Sequence, residues 1–118
     1  PIMFIENKPD EIELLSFFES EPVSFDRENI SYSYRVVDKK RIELEFSFSV
    51  IEGWIQYSMN INGQDFLHGY IDGVNSFGIK KDKDDECLYA EIITDKIVTK
   101  LEIRVRPDIS IKSRSLVK

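Results

Sequence analysis

Hydrophobic and polar side chains alternate from Arg41 to Val50, which predicts a β-strand over 41–51 with one apolar face. Asn62-Gly63 is a strong signal for a two-residue hairpin turn, and Glu52-Gly53 is a weaker one. Together these signals predict a four-stranded antiparallel meander over approximately 30–37, 41–51, 54–61 and 64–71. Its apolar face should cover a core and its polar face should meet water.

The register of this meander follows from placing side chains of like polarity on the same face. With a three-residue loop at Asp38–Lys40 and turns at the two glycine signals, the predicted pairs are Val36 with Ile42, Tyr34 with Leu44, Phe48 with Tyr57, and Tyr57 with His68. His68 is therefore expected within the apolar face. Trp54 is expected opposite Ile51 on the otherwise polar face. There it should cap the core at a hairpin end, with a binding anchor as the alternative.

The first residues predict one short helix. Asn7-Lys8-Pro9-Asp10 supplies a capping candidate, an early proline and an acidic first turn, and Pro22 should end the helix near Glu21.

A second hairpin is predicted around Asp95-Lys96. Its register pairs Leu88 with Ile103, Ala90 with Leu101, and Glu91 with Lys100. A short strand is possible at Phe77–Ile79 before a charged loop, and another short strand can include Ile109 and Ile111. The whole predicts a single α+β domain over 1–118, a mostly antiparallel β meander that is curved or barrel-like, with one N-terminal helix.

The charge of the chain is concentrated at its start. The net charge is −6, and acidic residues outnumber basic ones only within the first quarter of the sequence. Such a distribution disfavours nucleic acid as a partner and favours a cationic one, although a solvated helix would also explain it. No apolar stretch approaches the ~20 residues that span a membrane, so no membrane partner is expected. The lone Cys87 fits a cytoplasmic location.

Residues for catalysis or metal binding are scarce. His68 and Cys87 are the single histidine and the single cysteine, and acidic neighbours at 84–86 should raise the pKa of the thiol. The run Asp82–Glu86 resembles a calcium loop superficially but lacks its central glycine and distal glutamate. We therefore expect no enzyme activity, no metal and no cofactor.

The stretch from Arg41 to Gly63 resembles the strand–turn–strand segment common among immunity proteins of bacterial contact-dependent growth inhibition and related polymorphic toxin systems. The resemblance implies a protein that binds a cognate toxin domain, commonly a basic nuclease, and covers its active site or substrate groove. Charge clustering predicts the contact residues Glu11, Glu13, Glu19, Glu21, Asp82, Asp84, Asp85 and Glu86.

Two other classes of protein remain open at this point. A small-molecule carrier would need a cavity lined by Tyr32, Tyr34, Tyr57 and His68. An accessory subunit would use the same apolar and acidic surfaces for a permanent partner. The sequence leaves the oligomeric state undetermined.

Overall fold

The computed structural model describes residues 4–118, which form one helix and nine strands in two antiparallel sheets. The helix α1 spans Glu11–Phe18. The first sheet, in order, contains β1 (Ser24–Asp26), β2 (Ser31–Val37), β3 (Ile42–Ser49), β4 (Trp54–Ile61) and β5 (Gln64–Ile71). The second contains β6 (Gly78–Asp82), β7 (Asp85–Ile93), β8 (Ile97–Arg104) and β9 (Ser110–Val117). The predicted α+β fold is confirmed, and its sheets are open.

The helix begins at a capping box and ends sooner than predicted. Asp10 is the N-cap: its side chain accepts a hydrogen bond from the Glu13 backbone, and the Glu13 side chain accepts one from the Asp10 backbone. The helix ends at Phe18, before the predicted end at Glu21-Pro22, because Glu19 adopts the left-handed conformation (φ 55°). The Arg106 guanidinium donates to the Phe17 carbonyl at 2.7 Å, which satisfies one of the free acceptors at this end.

Two registers of the first sheet differ from the prediction by two residues. Tyr34 pairs with Phe46, and Phe46 pairs with Tyr57. The connecting loops, at 38–41 and 50–53, are correspondingly longer than predicted. A shift of two residues keeps every side chain on its predicted face, so the polar face still points away from the core.

A β-bulge in β5 reverses the face on which its later side chains lie. The turn at Asn62-Gly63 forms as predicted, with φ values of 51° and 80°. Phe66 then has no partner in the register, and Leu67 pairs with Met59. His68 consequently lies opposite Ser58 on the polar face, so its predicted place opposite Tyr57 is wrong.

The second sheet follows the predicted register. The pairs Leu88 with Ile103, Ala90 with Leu101, and Glu91 with Lys100 are all confirmed. The predicted charged loop is a tight turn between β6 and β7, because β6 extends to Asp82. The last strand, β9, is eight residues long rather than short.

Both sheets and the helix contribute to one buried apolar cluster. Phe77, which precedes β6, contacts Phe46 and Phe48 of the first sheet, with ring centroids 6.0 and 5.1 Å apart. From the helix, Phe18 stacks on Tyr34 with centroids 4.5 Å apart. Aromatic contacts therefore connect the first sheet to the helix and to the segment that leads into the second sheet.

Asp38 connects the loop after β2 to the segment before β9. Its carboxylate accepts hydrogen bonds from the backbone N–H groups of Lys40 (2.9 Å), Ile42 (3.0 Å) and Ile109 (3.0 Å). Burial alone would raise the pKa of Asp38, but these donors and the charge of Lys40 outweigh it and lower the pKa below its usual value. The carboxylate thus stabilises the longer loop and ties the two sheets together.

Replacing Asp38 by asparagine should destabilise the protein by about 1–2 kcal/mol, because an amide NH₂ would face a backbone donor. The lower pKa in the folded state means that the stabilisation is complete above the unfolded value of about 4 and is lost as pH falls through the folded value. Urea denaturation at pH 7 and near pH 3.5 should show a large deficit for D38N at pH 7 that narrows in acid. D95N, in the exposed β7–β8 turn, is the control; a pH-independent deficit in D38N would contradict this assignment.

The Gly69→Ala variant should be destabilised by roughly 1–3 kcal/mol, because a Cβ at this position would lie 2.2 Å from Cζ of the buried Tyr57 ring. Chemical denaturation measures the loss. Gly78→Ala is a graded control, since its Cβ would lie 3.1 Å from the nearest Tyr89 atom and should cost less. Equal stability of G69A and wild type would show that Tyr57 does not pack on Gly69.

Candidate functional site

Part of each predicted acidic cluster lies at the surface formed by α1 and the β6–β7 hairpin, where Glu13 and Glu19 of the helix cluster approach Glu86 of the hairpin cluster. We use the name helix–hairpin surface for the surface of the eight predicted contact residues within Glu11–Glu21 and Asp82–Glu86. Of these, Glu11 and Glu21 lie on the other flank of the helix, beside Tyr32 and Tyr34. An open groove between the two elements is lined by Ile12 and Ser16 of the helix and by Ile79 and Lys81 of β6. Ile12 is 76% exposed, so an apolar side chain lies among the carboxylates.

Arg106 joins the two clusters directly. Its Nη1 donates to Glu19 at 2.7 Å, and its Nη2 donates to Glu86 at 2.6 Å. Lys81 lies 3.4 Å from Glu86 as well. Local sequence patterns could not predict this link, because Glu19, Glu86 and Arg106 are far apart in the chain.

Asp85 is also paired. It accepts two hydrogen bonds from Arg104, at 2.9 and 3.0 Å, and these bonds lower the pKa of its carboxyl. Glu13 is occupied by the helix cap. Four predicted contact residues therefore have partners: Glu13, Glu19, Asp85 and Glu86.

The other four carboxylates are exposed. Within residues 4–118 no ion pair or side-chain hydrogen bond engages Glu11, Glu21, Asp82 or Asp84. Burial raises the pKa of Tyr34 to about 12, and the charges of Tyr32, Glu11 and Glu21 add to the effect. Glu11 and Glu21 line one hollow together with Tyr32 and Tyr34, which explains their effect on this phenol.

The candidates for chemistry do not come together. His68 is exposed on the polar face, with its Nε2 3.1 Å from Nε2 of Gln56. Cys87 is buried in the second sheet, and burial, with the charges of Glu102 and Asp85, raises the pKa of its thiol. Among the residues that the structure describes, no three His, Cys, Asp or Glu side chains are grouped as metal ligands.

The cavity suggested for a small-molecule carrier is not formed by its predicted lining. Tyr34 and Tyr57 are buried in the packed core, whereas His68 lies on the opposite face of the sheet. No helix in the described part of the chain is long and apolar enough to cross a membrane.

The basic residues of the second sheet are interrupted by acids. Arg104 lies within 3.3 Å of Glu102 in addition to its contacts with Asp85, and Arg106 turns away toward the helix. The acidic partners of Arg104 and Arg106 therefore interrupt a row of basic residues. The row consists of Lys100, Arg104, Arg106, Lys112 and Arg114.

The prediction for Trp54 is wrong in its contacts. Trp54 pairs with Ser49 rather than Ile51, and its ring contacts Tyr70 on the polar face, with centroids 5.9 Å apart. Its Nε1 donates to Glu52 at 3.1 Å. The sequence signal for this contact was the consecutive apolar pair Phe66-Leu67, which interrupts the alternation and marks the bulge that turns Tyr70 outward.

Comparison with known proteins identifies the family. No protein-family model matches the chain, and no curated protein is significantly similar to it. A chain in the solved structure of a contact-dependent growth inhibition toxin–immunity protein complex from Klebsiella pneumoniae 342 is 59% identical to it. The match covers 97% of this chain and 100% of that one, with a TM-score of 0.94. The chain therefore belongs to the immunity proteins of contact-dependent growth inhibition systems.

Proposed function

We propose that this protein binds and neutralises a cognate toxin domain of a contact-dependent growth inhibition system. The observation that carries this proposal is the 59% identity, over nearly the whole chain, to a chain from a toxin–immunity protein complex. The TM-score of 0.94 shows that the fold is shared, and binding of a related toxin domain is the function that this similarity supports.

The proposed mechanism is occlusion of a basic nuclease at its active site or substrate groove, in the cytoplasm. The net charge of −6 supports it, because carboxylates can occupy positions that nucleic acid phosphates would otherwise fill and can speed association with a cationic groove. We propose the helix–hairpin surface as the acidic contact. Glu11, Glu21, Asp82 and Asp84 would offer unpaired charge, while Glu13, Glu19, Asp85 and Glu86 are held in place by their partners.

The proposed inhibition requires no catalysis by this chain. His68 contacts an amide on an exposed strand, and Cys87 is a buried thiol with a raised pKa. A lone exposed histidine and an inert thiol suit a protein that acts by binding alone.

The test is binding of this protein to the polypeptide encoded immediately upstream of it, measured by calorimetry from low to high salt. Tight binding that weakens as salt rises is expected for an acidic protein on a basic partner. No binding at any salt concentration would refute the proposed function.

Charge reversal tests the proposed contact. E11K/E21K and D82K/D84K should each weaken binding roughly tenfold, mainly through slower association, because both pairs remove unpaired carboxylates from the helix–hairpin surface. D95K, which reverses an exposed charge in the β7–β8 turn, is the matched control and should bind like wild type. Wild-type affinity in both double variants would place the toxin contact elsewhere on the protein.

A further inference from the structure

Two aromatic side chains form a pair on a face that is otherwise polar. Trp54 and Tyr70 lie on the outer face of the first sheet, where Tyr70 pairs across the strands with Gln56. Tyr70 is 54% exposed, and neither ring belongs to the buried apolar cluster. The core therefore does not account for this pair.

The β-bulge at Phe66 is what directs Tyr70 to this face. Without the extra residue, the Asn62-Gly63 turn would pair Tyr70 with the fully buried Ile55, and the ring would enter the core. With it, Ile71 takes the place opposite Ile55. Bulges of this kind commonly re-aim a side chain next to a functional site.

Carboxylates lie beside the pair. Glu52 accepts hydrogen bonds from Nδ2 of Asn29 (2.7 Å) and Nε1 of Trp54 (3.1 Å), and these bonds lower the pKa of its carboxyl. Burial and the charges of Asp72 and Glu52 raise the pKa of Tyr70, so both carboxylates are close to the phenol. Glu52 is thus charged and held in a fixed position without a basic partner in the described residues.

The outer face of the first sheet carries more acidic than basic side chains, although its acidic strand positions lie toward the end away from the pair. Among the paired positions of the outer face, within 24–71, Arg35 is the single lysine or arginine. It lies 3.6 Å from Glu43 and 3.8 Å from Glu45, so its charge is offset locally. Asp65 adds a further negative charge on the same face.

We propose that Glu52, Trp54, Tyr70 and Asp72, here named the aromatic–acidic patch, anchor a lysine- or arginine-bearing segment of the cognate toxin. This inference rests on the proposed function. A cation over the Trp54 or Tyr70 ring is attracted by its π face, and the flanking carboxylates complete its coordination. Tryptophan and tyrosine also lead the residue types that dominate binding energy at protein interfaces.

The experiment measures the affinity of variants for the polypeptide encoded immediately upstream of this chain, together with their thermal stability. W54A and Y70A should each weaken binding at least tenfold. E52Q/D72N should weaken it and reduce its dependence on salt, because two charges leave the interface. Y89A is the matched control: Tyr89 lies on the outer face of the second sheet under the Lys80 ammonium, and its loss should leave affinity unchanged.

The outcomes separate this inference from the proposed function. If wild type does not bind, the proposed function fails and the patch has no toxin to anchor. If wild type binds and the patch variants bind equally well, the patch is refuted while the proposed function stands. Should W54A fail to fold, the exposed Tyr70 and the isosteric E52Q/D72N still decide the question. Light scattering that shows a dimer dissociated by Y70A would instead assign the patch to self-association and overturn the inference.

Discussion

The structure depends on aromatic contacts that hold the helix and the segment leading into the second sheet against the first sheet. Each sheet is open and has one apolar face, and neither could bury that face alone. Phe77, just before β6, packs on Phe46 and Phe48 of the first sheet. Phe18 of the helix packs on Tyr34 of the same sheet. Because the inner faces are buried in this way, a partner would contact the outer faces, the helix surface and the turns.

The accuracy of the sequence-based prediction varies along the chain for a physical reason. The β7–β8 register was predictable because Glu91 opposite Lys100 favours one alignment over its neighbours. In β3, by contrast, Leu44, Phe46 and Phe48 are interchangeable on the core face, so a shift of two residues leaves the pattern equally satisfied. The deciding contact is the Asp38 carboxylate, whose donor at Ile109 lies far along the chain.

The bulge at Phe66 has the largest effect on side-chain placement of any feature that period-two reasoning missed. One extra residue exchanges Tyr70 and Ile71 between the core and the surface, and it moves His68 out of the apolar face. It also brings Gly69 under the Tyr57 ring, where a side chain would not fit. A local insertion thereby determines which side chains are available to a partner, although the strand boundaries at 64–71 were predicted correctly.

Net charge alone does not locate a binding surface on this protein. Half of the carboxylates predicted as contacts have partners within the fold: Arg106 joins Glu19 to Glu86, Arg104 holds Asp85, and Glu13 caps the helix. Arginine offsets the charges of Glu19, Asp85 and Glu86, so their attraction for a cationic partner is reduced, although their positions are fixed. Glu13 keeps its charge, because its partner is a backbone N–H. Glu52 combines both properties that an interface carboxylate needs, since neutral donors orient it and leave its charge uncompensated. Orientation without neutralisation is therefore the feature on which the proposed docking role of Glu52 rests.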